Sequence, residues 1–178
     1  MLHIREIAAS DLDVIAALHA HSWRTSYRGI LRDSYLDDSI FEERLALWRE
    51  RLLRPTPEQL GLLAQSSASV IGFVFAFVAH DDRWGTLIDN LHVAPECRGK
   101  GVGTQLLAAL TDSLLHRAFE DGIHLWVFEA NHRTRQYYER LGAKAVESAV
   151  VEAPGGGQAA ACLYAWRSVS QLSIAVRS

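Results

Sequence analysis

The sequence predicts an α/β fold, one domain with a mixed sheet flanked by helices, and three observations carry that expectation. Segments with strand-like alternation interleave with segments of helical period in the order β-α-α-β-β-β-α-β-α-β-β. The 178 residues suit one domain, with enough chain to bury roughly 70% of the unfolded surface. No internal repeat, interdomain linker or low-complexity block divides the chain. The domain is expected over residues 1–167, followed by a tail over residues 168–178 that is either an edge strand or disordered.

Each element has a local reason. "LHIREI" alternates as a first strand, and Ser10 and Asp11 offer an N-cap to a helix through "LDVIAALHAHSW". A second helix is expected from Tyr35 to Leu53, ended by Pro55 and Pro57. "LGLLAQ" and the long β-forming run "SVIGFVFAFVAH" read as strands joined at Ser66–Ser69. Asp81, Asp82 and Gly85 supply a turn into the strand "TLIDNLHV". From Val102 to Phe119, Leu106, Leu107, Leu110, Leu114 and Leu115 form one helical stripe. "IHLWVFEA" is a strand, "TRQYYERL" a short helix stopped by Gly142, and "AKAVESAVVE" a strand. "PGGG" is a hairpin tip leading into the last strand, "AAACLYAW".

Composition removes several functions. Hydrophobic residues make up 49% and charged residues 22%, with a net charge of −3; nucleic-acid binding usually shows a basic domain instead. The first residues lack the basic start and apolar core of a signal peptide, and no apolar run is long enough to span a membrane. Cys97 and Cys162 are too few for a disulfide scaffold or a four-cysteine zinc site, and His19 and His21 complete no metal-ligand set. The expectations are a cytoplasmic protein, no metal, no nucleic acid and no membrane partner.

The informative stretch is "DNLHVAPECRGKGVG", residues 89–103. Gly99, Gly101 and Gly103 sit between a strand and a helix, where glycine costs roughly 0.5–1 kcal/mol inside a regular element. A helix-capping turn explains them, and so does an anion site: the first N–H groups of a helix lack internal partners and its dipole is positive there. Arg98 and Lys100 add charge. A P-loop is excluded because Gly101 follows Lys100 and Ala94 holds the earlier glycine position. A dinucleotide fingerprint fails because its last glycine would fall on Thr104 or Leu106. The pattern that fits is R-x-x-G-x-G, Arg98 to Gly103.

"LHVAPECRGKGVGTQLL", followed in order by "IHLWVFEAN" and "NHRTRQYYERLGA", resembles the GNAT family of N-acetyltransferases. The likeness covers most of Ile4 to Trp166 and is most specific from Leu91 to Ala143; Ala143 itself replaces a commoner aromatic. It implies a mostly antiparallel sheet with a central splay, acetyl-CoA as co-substrate, and the anion-site reading of the loop. By the resemblance, the amides of Arg98, Gly99, Lys100, Gly101, Val102, Gly103 and Thr104 hold the pyrophosphate. The backbone of Leu91 and Val93 pairs with pantetheine, and Asn131 hydrogen-bonds that arm, a role that coexists with a helix N-cap.

Tyr138 matches the second aromatic of the pair, which protonates the departing thiolate; a phenol near pKa 10 keeps its proton beside a thiol near 8.5. Tyr137 is assigned to packing, and a nucleophilic Cys97 is not needed for direct transfer. The acceptor amine, pKa about 10.4, pays roughly 4.6 kcal/mol to be neutral at pH 7. Asp89 is the first candidate base, because alternation places it on the face of Leu91. Glu129 is second; His92 should face the other way unless a bulge turns it. Trp23 and Tyr27, with Arg24 and Arg28, stand at i, i+4 spacing where the family builds an acceptor wall, and core packing is the competing role. The acceptor is an amine, small-molecule ahead of protein, and a homodimer through the C-terminal strands is consistent. A longer acyl group, or a CoA-binding sensor without turnover, are the competing functions.

Overall fold

The computed structural model describes residues 2–67 and 69–178. The turn expected between Ser66 and Ser69 includes residue 68, which, like Met1, lies outside the described residues. Seven strands form one sheet in the order β1-β2-β3-β4-β5-β7-β6. The strands are β1 (Leu2–Glu6), β2 (Gln59–Ser66), β3 (Ser69–Asp81), β4 (Gly85–Val93), β5 (Ile123–Phe128), β6 (Lys144–Glu152) and β7 (Gln158–Trp166). Every adjacent pair is antiparallel except β4 and β5. The mixed, mostly antiparallel sheet is therefore as the sequence predicts.

Helices cover both faces. α1 (Leu12–Ser26) and α2 (Ile40–Leu53) lie on one side, and α3 (Val102–His116) lies on the other with α4 (His132–Arg140) and α5 (Val169–Ala175). This explains why β3 reads as a continuous apolar run. Val74, Ala76 and Val78 pack toward α3, while Phe73 and Phe75 pack toward α1 and α2 around Trp48. The α3 stripe of Leu106, Leu107, Leu110 and Leu114 is fully buried; each such leucine contributes about 1.5–3 kcal/mol. The second helix differs from expectation at its start, where Tyr35–Ser39 is a π-turn before α2.

The tail differs more. Residues 169–175 are a helix, not an edge strand or a disordered end, and Val169 and Leu172 are buried against the α3 core. The cap explains it: the Ser168 hydroxyl accepts from the Gln171 N–H at 3.1 Å, and the Gln171 side-chain Oε1 accepts from the Arg167 N–H at 2.9 Å. That S-x-x-Q arrangement is a helix-start signal present in the sequence.

Candidate active site

Strands β4 and β5 pair only at Thr86–Ile123 and Leu87–His124. Beyond those positions β4 stays with β3 and β5 stays with β7, so the two parallel strands part. The gap opens a cleft of about 700 Å³, lined among others by Asp89, Leu91, His92, Val93, Trp126 and Tyr138. A parting strand leaves backbone groups unpaired, and which ones follows from the ladder. Ala94 N–H donates to the Ile71 carbonyl at 2.8 Å, making that pair a hydrogen-bonded one. Antiparallel pairs alternate, so His92 faces β3 while Leu91 and Val93 turn their N–H and C=O groups into the cleft. Arg98 Nε already donates to the Val93 carbonyl at 3.2 Å.

The glycine loop closes one end. Pro95–Cys97 form a 3-10 turn, and Gly99 and Gly101 then adopt left-handed backbone with φ of 76° and 79°. Gly101 caps α3, whose first internal bond is Gln105 N–H to the Gly101 carbonyl. The amides of Val102, Gly103 and Thr104 thus remain without helical partners. Gly103 lies inside α3, where a Cβ would make only ordinary contacts, 3.4 Å from the Tyr137 hydroxyl and 3.7 Å from Val93, so no close approach among the described residues demands glycine there. That hydroxyl sits 3.3 Å from Thr104 Oγ1. Lys100 is exposed, and Arg133 and Arg140, two cations the sequence reading did not single out, also line the cleft.

Arg98 departs from expectation. Its guanidinium does not reach toward the loop's anion position but donates to Ser22 Oγ at 3.1 Å, Thr25 Oγ1 at 3.0 Å and Ser26 Oγ at 3.1 Å. Three hydroxyls at the end of α1 and one strand carbonyl outcompete the loop for it. Burial, and the positive Arg133 nearby, push its pKa below the usual guanidinium value.

Tyr138 is 6% exposed and packs edge-on against Tyr137 and Trp166. Tyr138 borders the cleft, and its hydroxyl makes no hydrogen bond among the described residues. Burial raises its pKa well above 10, with neighbouring Tyr137 and Tyr27 adding to the effect, so the phenol holds its proton. Asn131 caps α4, accepting from the Thr134 N–H at 3.3 Å, and also lines the cleft.

Asp89 is not on the face of Leu91. Ile88 pairs with Ala76 and Asn90 with Phe75, leaving Asp89 as the extra residue of a bulge. The inserted residue breaks the alternation: Leu91 packs on the α3 side, whereas Asp89 reaches α2 and pairs with Arg51 at 2.8 Å. Arg51 also donates to Asn90 Oδ1 at 2.9 Å. Asp89 still borders the cleft, and it is the one carboxylate to do so among the described residues.

His92 keeps its expected orientation, opposite Leu91, because the bulge precedes both. Trp23 Nε1 donates to its Nε2 at 3.4 Å, which leaves the proton on Nδ1 to bond Ser22 Oγ at 2.9 Å. Its ring keeps some surface toward the cleft yet is enclosed by protein and lies 4.6 Å from that of buried His19. Desolvation, then the positive Arg98 and Arg44, lower its pKa to about 3. Glu129 is placed elsewhere: its side of β5 borders a separate shallow pocket with Gly29, Ile30 and His132. Trp23 is likewise removed from the cleft wall, buried beneath Arg44, whose guanidinium sits 4.5 Å from its ring. Tyr27 does line the cleft, edge-on to Phe128.

The sequence profile of the Acetyltransferase (GNAT) family matches residues 18–143. The chain belongs to this family. The acetyltransferase is 33% identical over 144 residues to "Probable N-acetyltransferase Rv2775" of Mycobacterium tuberculosis, covering 78% of each chain. It is 29% identical over 134 residues to "Uncharacterized N-acetyltransferase YuaI" of Bacillus subtilis, covering 74% of each. Its fold is that of the PaiA N-acetyltransferase of Thermoplasma acidophilum, solved with coenzyme A, at 21% identity and TM-score 0.71 over 90% of this chain and 98% of that one. It is also that of yncA from Salmonella typhimurium, solved with acetyl-CoA, at 19% identity, TM-score 0.66 and 94% of both chains. Among the described residues no helix is long and apolar enough to cross a membrane.

Proposed function

We propose that the acetyltransferase moves an acetyl group from acetyl-CoA to a primary amine by direct attack within a ternary complex. The observation that carries this reading is the free edge of β4, where Leu91 and Val93 turn backbone groups into a cleft bounded by the glycine loop and Tyr138. An amide-bearing arm can add to that edge as an extra strand. The unpartnered amides at the start of α3 suit a pyrophosphate, with Lys100, Arg133 and Arg140 supplying surrounding charge. Asn131 bonds the same arm, a role supported by its position at the head of α4 on the cleft wall. Arg98 contributes its amide, while its side chain anchors the loop to α1.

Tyr138 is the proton donor to the leaving thiolate, because its phenol is protonated, buried and uncommitted. The Leu91 N–H is the donor for charge developing on the carbonyl oxygen. Asp89, on the far face of the splay, receives the amine's proton directly or through water; Arg51 fixes its position. The amine then attacks the carbonyl carbon, the carbon–sulfur bond breaks, and Tyr138 protonates sulfur.

Acetyl-CoA consumption across a panel of amines, with mass spectrometry of the product, tests the reading. One N-acetylated product and calorimetric binding of CoA are expected. CoA binding without turnover for any amine would instead make the protein a sensor of acyl-CoA, and a heavier product would change the acyl group.

A further inference from the structure

The bulge that takes Asp89 away from Leu91 gives it a new neighbour. Counting on from the last β4–β5 pair, Leu87 with His124, brings Asp89 level with Trp126 across the splay. Trp126 alternates with Val127 and Leu125, which pack on the α3 side, so its indole is on the α2 side. Asp89 has been turned to that same side by the bulge. Both residues line the cleft.

Trp126 is 43% exposed, and among the described residues it is the one aromatic side chain among the exposed large apolar ones. Trp23, Trp48 and Trp166 are buried and Trp84 is half-buried. Across from it, Arg51 occupies Oδ2 of Asp89 and leaves Oδ1 without a partner among the described residues. A carboxylate oxygen and an indole face thus border one opening, and both attract positive charge.

Resting on the acetyl-transfer reading, we propose that Trp126 and Asp89 form the acceptor's docking corner and select an alkylammonium that carries no carboxylate beside the nitrogen. The ammonium lies against the indole face and bonds Asp89, while the alkyl chain covers the ring. An α-amino acid is disfavoured, because its carboxylate would be held against Asp89, and the cation paired with Asp89 among the described residues, Arg51, is already committed to Asp89 and Asn90. Free alkylamines and lysine side chains share this chemistry.

Initial rates with n-butylamine, with a lysine blocked at both backbone ends, and with glycine test the selection. n-Butylamine and the blocked lysine should be acetylated with kcat/KM at least about ten-fold above glycine, a margin in the range of a desolvated cation–π contact, and their ratio assigns the source. Trp126→Ala should raise KM for the better substrate about ten-fold with little change in kcat or CoA affinity, and Trp126→Phe should restore most of the loss. Equal efficiency for glycine, or an unchanged KM in a folded Trp126→Ala, overturns the proposal.

A second measurement is independent of turnover. In protein labelled with 5-fluorotryptophan, the resonance missing from Trp126→Phe belongs to Trp126. Tetramethylammonium, which cannot be acetylated, should shift that resonance and leave those of Trp48 and Trp166 in place. A shift without turnover of any amine would keep the corner and sink the acetyl-transfer reading. Turnover without a shift would keep the enzyme and sink the corner.

Discussion

Arg98 and Ser22 meet at 3.1 Å, joining the glycine loop to the end of α1, and the same serine holds His92 at 2.9 Å. One hydroxyl therefore ties together the loop, the helix and the strand that border the cleft. A basic residue in a glycine loop proposed to hold a pyrophosphate would ordinarily be counted as a phosphate ligand, but here the guanidinium is engaged by three hydroxyls and a strand carbonyl.

The first prediction separates these roles. Arg98→Ala should lower Tm by several degrees, since loss of a part-buried charged network costs about 1–3 kcal/mol. CoA affinity should fall only modestly and keep its salt dependence, because the lost charge was not facing the phosphates. Calorimetric titration of CoA at low and high salt decides it. A flattened salt dependence with unchanged Tm would make Arg98 a phosphate ligand.

The second concerns Gly101, whose φ of 79° places it in backbone that favours glycine. Gly101→Asn tolerates that conformation and should bind CoA within about ten-fold of the wild type. Gly101→Glu adds bulk and negative charge over the amides of α3 and should weaken binding by about 100-fold or more. Equal affinities for the two folded variants would reduce the loop to a capping turn.

Tyr138→Phe removes a hydroxyl and leaves the ring's packing against Trp166. CoA affinity and Tm should hold while the single-turnover rate falls about 10²-fold. A rate within two-fold of the wild type would leave the proton transfer to another group.

Much of this site was legible before any coordinates. The glycine spacing and the order of strand and helix mark the loop through local chemistry and period, whereas the β4 edge and Tyr138 were expected only through the family resemblance. What was not legible depends on one-residue events or on partners far along the chain. The Asp89 bulge is an insertion of one residue into a ladder, and alternation read from sequence has no term for it. Trp23 has the spacing of a pocket residue, but His19, Tyr27, the cluster with Leu31, Leu36 and Ile40, and Arg44 from α2 bury it. Glu129 ends the right strand, yet it faces a different pocket. The α5 helix was missed although Ser168 and Gln171 announced it.

Acid should destabilise the fold through its stacked histidines. His92 has its pKa lowered to about 3 and His19 is held well below 6.5, both by burial first; the positive Arg98 and Arg44 then act on the one, and the repulsion a second protonated ring at His92 would bring, with Arg44 and Arg51, on the other. An unfolded histidine takes up a proton near pH 6.5, which the folded ring refuses, so the unfolded state gains as pH falls. Stability is full above about pH 6.5 and declines below it, by roughly 2 kcal/mol at pH 5 for His92 alone. Urea titrations from pH 7.5 to 5 should give a smaller slope for His92→Gln than for the wild type. Parallel profiles would show that His92 is not the group responsible.

The last prediction concerns the amine's proton. Asp89 is turned by the bulge to the α2 face and held there by Arg51 at 2.8 Å, so its carboxylate is fixed in position. An amine of pKa about 10.4 must lose its proton during attack, and a fixed acceptor lowers that cost at neutral pH. Asp89→Asn should therefore reduce kcat/KM about 10²-fold near pH 7. The deficit should shrink steadily as pH rises toward the amine's own pKa, where solution supplies the neutral nucleophile. A residue that only braces the bulge predicts a different pattern, a loss that ignores pH and travels with a lower Tm. Arg51→Met separates the two further, because it frees the carboxylate without removing it: the pH-dependent part of the rate should survive, while Tm drops. The measurement is kcat/KM from about pH 6 to 9.5 for the wild type and both variants with the best amine. A wild-type to Asp89→Asn ratio that stays constant across that range would exclude Asp89 as the proton acceptor and leave water at the backbone of the splay to do the work.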